Sequence, residues 1–341
     1  MGKIKVGING FGTIGKRVAE AVQLMPDMEL VGVVKTRPDY LARMIVKNGL
    51  KLYVPEDKIS VFKEAGIEPS GVLEDLLEEV NVIVDATPGG IGAKYKEVYE
   101  KYGVKAIFQG GEKPFVAEKS FSSLCNLEEC IGSNSLRVVS CNTTALLRLI
   151  CILNKYFRIR KVRATIIRRA ADPKEDKRGP VNSIRLDPAE IPSHHAKDVK
   201  TVLPWLDILT TAVIVPTTLM HVHSVYIVFE ESINKRDVIE ALRTTRRIIL
   251  VDTRLTGIDS TAKIIEAARD LGRKRYDIPE LIVWENTVYT NNNELWLMQA
   301  VHQESIVIPE NIDAIRAVTS SPNVHKTIEL TDEILGLGKF I

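Results

Sequence analysis

The sequence has few cysteines, no CxxC pair and no long apolar run. Four cysteines in 341 residues are too few for the disulfide framework of a small secreted domain. Residues 1–30 lack the apolar core of a signal peptide, and no later window holds eighteen uncharged apolar residues. These absences argue against secreted and membrane-spanning classes, and they predict a soluble protein of the reducing cytoplasm.

The chain also lacks an excess of charge of either sign. Lys and Arg together number 46 and Asp and Glu number 44, which leaves a formal net charge of +2. A protein that binds nucleic acid or an anionic membrane usually carries a basic surplus. We therefore expect neither a nucleic acid nor a membrane as a partner.

What is present is a length that suggests two domains and an alternation of strand and helix patterns. The chain begins IKVGING, IGKRVAEAVQLM and MELVGVVKT, the βαβ order of a Rossmann-type, doubly wound parallel sheet. After residue 141, long strand-type runs separated by helices predict an α+β domain with a mainly antiparallel sheet. We expect an α/β protein with a dinucleotide-binding domain over 1–140, a catalytic domain over 141–311 and a C-terminal helix over 312–341 that packs back on the first domain. The polar stretch 171–195, with four prolines, predicts a long loop of the kind that is usually functional or disordered.

The stretch VGINGFGTIGKR places Gly10, Gly12 and Gly15 as GxGxxG between a strand and a helix. Glycines at these positions permit a tight turn, close approach of the backbone to a pyrophosphate and close packing of the helix. The amides of Thr13 and Ile14 at the helix N-terminus would face the phosphates. A tight turn without a ligand is the alternative, but the surrounding βαβ order favours dinucleotide binding.

The second strand ends in VVKTRPD, where an NAD-specific site usually carries an acidic residue. No acid stands at the tip of this strand. Lys35 and Arg37 could instead face the 2′-phosphate of NADP, with Thr36 as a hydroxyl donor. Two solvated loop cations are the alternative, so the sequence predicts NADP or NAD without ranking them.

The stretch VVSCNTTALLRLI places Cys141 where a strand meets a helix. A thiol there lies at the positive end of the helix dipole, which lowers its pKa and favours the thiolate. Asn142, Thr143 and Thr144 are residues that cap helices, so the helix is expected to begin at or just after Cys141. The alternative, a small buried hydrophobic residue, suits the other three cysteines better.

A nucleophilic cysteine needs an acid–base partner, and histidine is the usual one. Four of the six histidines lie in two pairs, His194 with His195 and His221 with His223. The second pair falls on one face of a predicted strand. Structural roles for these histidines remain open. Metal binding by the two pairs with Cys141 lacks a carboxylate or second thiol at ligand spacing, so no metal is expected.

Together these segments resemble the archaeal branch of glyceraldehyde-3-phosphate dehydrogenase. The resemblance covers nearly the whole chain, through GINGFGTIGKR, SCNTT, RRAADP, IPSHH, PTTLMHVH and HQESIVIPENIDAIR. It implies reversible oxidative phosphorylation of glyceraldehyde 3-phosphate to 1,3-bisphosphoglycerate, through a cysteine thiohemiacetal and a thioester. It also implies NAD or NADP as cofactor, inorganic phosphate as co-substrate and a homotetramer.

The resemblance further implies roles for individual residues. Cys141 would be the nucleophile, and His221, the first histidine of LMHVH, would be the base. Positions that contact the substrate match Ser140, Asn142, His194 and His195. Positions that contact the cofactor match Thr13, Ile14, Gly111, Arg169 and Gln303. By their chemistry, the best phosphate donors are Arg168, Arg169 and the paired histidines, although one of two adjacent arginines on a strand must point away.

Two other functions remain open at this point. An acyl-phosphate reductase similar to aspartate-semialdehyde dehydrogenase also combines a GxGxxG domain with a cysteine before a helix, but its substrate is a carboxylate. A non-catalytic nucleotide-binding module would retain the fold and lack the reaction. Assays with glyceraldehyde 3-phosphate and with aspartate semialdehyde distinguish the two enzymes. Cofactor binding without turnover would identify the binding module.

The remaining cysteines raise the question of a disulfide. Cys151 lies ten residues beyond Cys141 on the same predicted helix, which separates them by roughly 15 Å. A disulfide would therefore join Cys151 to Cys125 or Cys130, and we favour Cys125. Intracellular disulfides are characteristic of hyperthermophiles, and only four glutamines in the chain hint at selection against thermolabile residues. The alternative is that Cys125 and Cys151 are small buried core residues.

Overall fold

The computed structural model describes residues 2–171, 182–218 and 220–340. Part of the predicted loop 171–195 lies outside the described residues. The chain divides into two compact units, Met1–Val139 with Ile308–Leu335 and Ser140–Val307 with Gly336–Ile341. Among the described residues, no helix is both long enough and apolar enough to cross a bilayer.

The first unit is built on a parallel sheet of eight strands in the order β4-β3-β2-β1-β5-β6-β8-β7. Its strands are β1 Ile4–Asn9, β2 Met28–Val34, β3 Leu52–Val54, β4 Gly71–Val72, β5 Val82–Asp85, β6 Lys105–Gln109, β7 Lys119–Phe121 and β8 Ser135–Val138. The helices between them are α1 Thr13–Leu24, α2 Tyr40–Lys47, α3 Ile59–Glu64, α4 Leu73–Glu79, α5 Gly92–Lys101 and α6 Ser123–Cys130.

The order of these strands positions a crevice in the first unit. The chain moves outward from β1 to β4 and then returns to add β5 on the other side of β1. In open parallel sheets a ligand binds beyond the carboxyl ends of the strands where the order reverses. The switch point therefore lies at the tips of β1 and β5, where the glycine motif begins.

The second unit is built on a mixed sheet with mainly antiparallel pairing, in the order β10-β11-β9-β12-β16-β14-β13, with β15 beside β16. Its strands are β9 Ile159–Arg169, β10 Arg185–Leu186, β11 Ile208–Val215, β12 His221–Phe229, β13 Ile248–Val251, β14 Leu281–Trp284, β15 Tyr289–Asn291 and β16 Glu294–Val301. Its helices are α7 Cys141–Tyr156, α8 His194–Lys200, α9 Lys235–Leu242, α10 Thr253–Thr256 and α11 Thr261–Asp270. The predicted fold class is confirmed.

Helix α7 is the buried centre of the second unit. Every side chain from Asn142 to Leu153 on this helix is buried. Arg148 on its middle turn donates to the backbone carbonyls of Pro279, at 2.6 Å, and Ile306, at 2.7 Å. These bonds satisfy a buried guanidinium and fix the helix against two loops of the same unit. The N-terminus of α7, which carries Cys141, is thereby held in place.

The last two helices, α12 Ile308–Val318 and α13 Thr327–Ile334, belong to the first unit. Arg316 on α12 is buried and donates to both carboxylate oxygens of Asp27, at 2.8 and 2.9 Å, and to Thr327 and Thr331 of the α13 segment. A paired guanidinium of this kind tolerates burial because its charge and its donors are both satisfied. The bonds attach the C-terminal helices to the segment between α1 and β2.

The cysteines fall into two classes. Cys125 and Cys151 are both disulfide-bonded, whereas Cys130 and Cys141 are free thiols. The sequence leaves open whether these cysteines are oxidised and favours Cys125 as the residue that would pair with Cys151; both are disulfide-bonded in the structure. Burial raises the pKa of the Cys130 thiol to about 12, so this residue is an inert core thiol.

Candidate active site

Cys141 is the first residue of α7, at the predicted junction of strand and helix. Ser140 is the N-cap, and its Oγ accepts from the amide of Thr143 at 3.4 Å. The Thr143 hydroxyl donates to Asp198 on α8 at 2.6 Å, and Ser140 Oγ lies 2.8 Å from the same hydroxyl. The cap therefore differs from the predicted Asn142 or threonines, and it joins the starts of α7 and α8.

The prediction of a lowered pKa for Cys141 is wrong, although the backbone amides at the helix end do act in the predicted direction. Burial raises the pKa of the thiol above its ordinary value. The guanidinium charges of Arg168 and Arg169 and the amide of Asn142 oppose this effect, but they do not cancel it. Loss of hydration disfavours the thiolate more strongly than the neighbouring positive charges favour it. The sequence shows a helix N-terminus but not how deeply the thiol lies.

His221 opens β12 on the same face as His223, as the alternation predicted, and both are buried. Its Nδ1 accepts a hydrogen bond from the backbone amide of Arg169 at 3.2 Å. A neutral imidazole that accepts at Nδ1 carries its proton on Nε2. Burial, followed by the charge of Arg169, holds the pKa of His221 well below its usual value. His221 is thus neutral near pH 7 and presents an N–H at Nε2.

A chain of buried hydrogen bonds surrounds Asn142, the residue after Cys141. Gln299 Nε2 lies 3.0 Å from His223 Nδ1, and His223 Nε2 lies 2.9 Å from Asn142 Oδ1. Asn142 Nδ2 lies 3.2 Å from His195 Nε2, and His195 Nδ1 lies 3.1 Å from Ser193 Oγ. One arrangement of protons satisfies every link, with both imidazoles neutral and each donor facing an acceptor.

This chain has direct consequences for the predicted substrate residues. Both ring nitrogens of His195 bond to protein groups, and burial lowers its pKa to about 2. The Asn142 side chain bonds to His195 and His223. The Ser140 side chain caps helix α7. Of the four, His194 is the exposed one, and its ring packs 3.9 Å, centroid to centroid, from that of His195. His195 is therefore placed to orient Asn142 rather than to bind substrate with a free nitrogen.

Two arginines at the end of β9 supply the positive charge of this region. Arg168 forms an ion pair with Asp187, and the Arg168 and Arg169 charges both act on Cys141. Gln303, a predicted cofactor contact, is also buried in the second unit, and its Nε2 lies 3.5 Å from the carbonyl of Thr218. The Gln303 Oε1 is buried without a partner in the described structure, so it is available to a ligand donor.

In the first unit, the glycine motif has the geometry that a dinucleotide requires. Gly10 has φ +96°, and a Cβ there would lie 2.8 Å from the carbonyl carbon of Ala86. A Cβ at Gly15 would lie 1.8 Å from the Gly10 oxygen, so no larger residue fits where α1 packs on the turn. A Cβ at Gly12, the N-cap of α1, would meet only open space, and the N-cap residue makes no side-chain cap bond to the start of the helix. The motif thus fits a pyrophosphate at the start of α1.

A second loop lies at the tip of β5, across the switch point from the glycine motif. Glu112 Oε1 accepts from the amides of Gly90 and Gly92 at 2.7 and 2.9 Å. Gly111, a predicted cofactor contact, lies against Gly89, where a Cβ would come within 2.7 Å of the Gly111 oxygen. Sequence reasoning assigned no role to Gly89 and Gly90, although this GG pair shortly after the buried strand β5 was a visible signal.

Buried polar groups support the tips of β1 and β5. Asp85, the last residue of β5, accepts from Tyr99 at 2.7 Å, and Asn9 at the end of β1 donates to the Tyr99 hydroxyl at 2.7 Å. Burial raises the pKa of Asp85. These side chains were not predicted as site residues, and they connect the two strand ends between which a ligand would lie.

Family comparisons agree with the architecture of both units. The model described as "Glyceraldehyde 3-phosphate dehydrogenase, C-terminal domain" matches residues 140–271. The model described as "Dihydrodipicolinate reductase, N-terminus" matches residues 4–110. The first of these matches begins at the residue where the second unit begins.

Curated relatives match almost the whole chain. Proteins named glyceraldehyde-3-phosphate dehydrogenase from Hyperthermus butylicus and Sulfolobus acidocaldarius are 62% and 55% identical over 340 and 339 residues, which is 99% of this chain and of each relative. One from Metallosphaera sedula is 56% identical over 336 residues, 98% of both chains. The chain belongs to the glyceraldehyde-3-phosphate dehydrogenase family. Membership confirms the predicted family and makes the protein an oxidoreductase that uses NAD or NADP.

Proposed function

We propose that the protein catalyses the reversible, phosphate-dependent oxidation of glyceraldehyde 3-phosphate to 1,3-bisphosphoglycerate. Family membership supports the substrate and the use of phosphate. The observation that carries the proposal is one cluster in the second unit, in which Cys141 at the start of α7 lies beside the guanidinium charges that also act on His221. Acyl transfer to phosphate requires a nucleophilic thiol, an acid–base group such as an imidazole, and positively charged groups that bind the phosphate.

Cys141 is the proposed nucleophile. Its thiol loses a proton, and the sulfur attacks the aldehyde carbon to form a thiohemiacetal whose oxygen carries the negative charge. Loss of a hydride from the same carbon would leave a thioester on Cys141, and a bound nicotinamide cofactor would supply the hydride acceptor. Phosphate then attacks the carbonyl carbon of the thioester, and the sulfur leaves as the acyl phosphate forms.

His221 is the proposed acid–base group. The Arg169 amide fixes Nδ1 as an acceptor, so the Nε2–H can donate to the substrate oxygen as negative charge develops there. To accept a proton at Nε2, the ring would need its own proton on Nδ1, and the bond from Arg169 would be lost. We therefore assign His221 first to stabilising the oxyanion, and to base catalysis only through that change of tautomer.

The arginines and His194 are the proposed donors for phosphate groups in the second unit. Arg168 and Arg169 provide positive charge close to Cys141. His194 is exposed at the start of α8, with its ring against that of His195. Arg169 and Gln303 remain proposed cofactor contacts, and Ser140, Asn142 and His195 are proposed to shape the substrate pocket.

We further propose that the first unit is the dinucleotide-binding domain and the second the catalytic domain. Gly10, Gly12 and Gly15 would hold the pyrophosphate with the amides of Thr13 and Ile14, and Gly111 would support the adjacent loop. Lys35 and Arg37 would face the adenosine ribose. The first unit would then bind the cofactor that accepts the hydride, and the second unit would carry the cysteine that bonds covalently to the substrate.

The proposed assembly is a homotetramer in the cytoplasm. One face of the second sheet is only half-buried, as the alternating burial along β11 and β12 shows. Aromatic side chains on this sheet, including Tyr226 and Trp296 with ring centroids 4.1 Å apart, would otherwise face water. A half-buried sheet face that carries aromatic side chains fits a second copy of the same chain. Light scattering at micromolar concentration would test it, and a monomeric mass would contradict it.

A coupled spectrophotometric assay tests the reaction. Glyceraldehyde 3-phosphate should reduce NAD or NADP only when inorganic phosphate or arsenate is present. Aspartate semialdehyde at the same concentration should react far more slowly. Turnover that needs no phosphate would indicate hydrolysis of the thioester. A preference for aspartate semialdehyde would indicate the related reductase. Cofactor binding without iodoacetamide-sensitive turnover would indicate a non-catalytic module.

A further inference from the structure

An ion pair lies where β2 ends, close to the glycine motif at the end of the neighbouring β1. Lys35 Nζ lies 2.7 Å from Asp39 Oδ2, and the Lys35 side chain is only 11% exposed. The backbone amide of Lys35 donates to the Tyr53 carbonyl at 3.0 Å, which fixes the start of this turn. The strand-tip lysine therefore does not extend freely into solvent, as a lone loop cation would.

Asp39 is fixed in the same place by a second, independent contact. Its Oδ1 accepts from the amide of Ala42 at 3.1 Å, which makes Asp39 the N-cap of α2. The carboxylate thus bonds the lysine with one oxygen and the helix with the other. Two lone-pair directions remain for another donor. The acid missing from the strand tip in the sequence is present here, four residues after Lys35.

We propose that Lys35 and Asp39 act as one pair that reads the adenosine ribose and allows this site to take both cofactors. With NAD, the pair stays closed and Asp39 accepts from a ribose hydroxyl, as acidic residues near the end of β2 do. With NADP, Lys35 turns from Asp39 to the 2′-phosphate. This inference rests on the proposed cofactor role of the first unit.

The charges of this pair affect the affinity for NAD and the affinity for NADP in opposite directions. The 2′-phosphate carries about −1.5 to −2 charges near pH 7, so a carboxylate a few ångströms away repels it while Lys35 attracts it. Arg37 is exposed and forms no ion pair with another described residue, so it adds attraction without an internal competitor. Asp39 would thus weaken NADP binding and strengthen NAD binding.

The test is the variant Asp39→Asn. Asparagine retains the side-chain oxygen that caps α2 and removes the charge. Dissociation constants for NAD and NADP, measured by calorimetry without aldehyde, should move in opposite directions. We expect NADP to bind about 5- to 50-fold more tightly, and NAD about 3- to 10-fold more weakly. The gain for NADP should shrink in 1 M salt, which screens the repulsion.

The matched control is Glu79→Gln. Glu79 also pairs with a lysine, Lys51, at 3.2 Å in the same unit, but Lys51 lies before the start of β3, the strand beside β2, and not at the carboxyl end of β2. This variant should leave both dissociation constants unchanged. If Asp39→Asn unfolds α2, Asp39→Ser provides another neutral N-cap, and circular dichroism would show which variant is folded.

A double variant with Lys35→Ala completes the test. If Lys35 is shared between Asp39 and the phosphate, the gain in NADP affinity from Asp39→Asn should be smaller when Lys35 is absent, because only the relief of repulsion between the carboxylate and the phosphate then remains. Equal changes for both cofactors, or no change, in a folded Asp39→Asn variant would overturn the inference while leaving the proposed function intact. Failure of the wild-type protein to bind either cofactor would overturn both.

Discussion

Acidification from pH 7.5 to 4.5 should destabilise the second unit through its buried histidines. Burial lowers the pKa of His195 to about 2 and that of His223 to about 3. Both rings bond to Asn142, and the proton arrangement that satisfies this chain requires each to be neutral. In the unfolded chain, each histidine binds a proton below its ordinary pKa of about 6.5.

The sign and size of the change in the free energy of unfolding follow from the linkage between proton binding and folding. Because the folded-state pKa is depressed, the contribution to stability is fully present above about pH 6.5 and is lost as pH falls toward the folded-state value. At pH 4.5, two units below the unfolded-state pKa, each histidine has lost about 2.7 kcal/mol. The two together account for about 5 kcal/mol, a large share of the 5–15 kcal/mol typical of a folded domain.

Tryptophan fluorescence during guanidinium unfolding is a suitable assay, because all three tryptophans lie in the second unit. The wild-type free energy of unfolding should fall by several kcal/mol from pH 7.5 to 4.5. In His223→Gln the fall should be smaller by about 2.7 kcal/mol, since glutamine does not titrate. His325→Gln, at an exposed position of the first unit, should retain the wild-type slope. A flat wild-type profile, or an unchanged slope in His223→Gln, would refute the reasoning.

Three further predictions concern catalysis. Cys141→Ser should abolish turnover while calorimetry still detects cofactor binding, and substantial residual activity would exclude Cys141 as nucleophile. His221→Asn should lower the rate of reduced-cofactor formation by about 10²–10⁴, and His223→Asn should lower it less; the opposite order in stopped-flow absorbance would assign the role to His223. Arg168→Gln should move the inflection of Cys141 alkylation to higher pH, because its charge lowers the thiol pKa, whereas Arg163→Gln should not. An unchanged inflection in Arg168→Gln would contradict the electrostatic argument.

Local steric rules made much of the fold predictable. The glycine motif could be located because its spacing between a strand pattern and a helix pattern is visible within a few adjacent residues, and in the structure Gly10 and Gly15 do exclude a Cβ. The start of α7 and the shared face of His221 and His223 were predictable for the same reason, since capping and strand alternation are local.

Features that depend on strand register or on depth could not be predicted in this way. Gln299 meets His223 because β12 and β16 pair in one particular register, and the sequence separates these residues by 76 positions. A single glutamine within the apolar run LWLMQAV of β16 was the available signal. Asp39 was missed because it lies beyond the strand tip and reaches Lys35 only through the turn before α2. The pKa of Cys141 was mispredicted because burial is a property of the whole unit.

The charges around Cys141 favour one proton arrangement over another. Arg168 and Arg169 lower the pKa of the Cys141 thiol, and the same two charges lower the pKa of His221. A thiolate beside a neutral imidazole is therefore favoured over a thiolate paired with an imidazolium, because the imidazolium would add a third positive charge. The thiol proton should then pass to solvent when the thiolate forms. His221 keeps its Nε2 proton, which is the state in which it can donate to the oxygen of an aldehyde under attack.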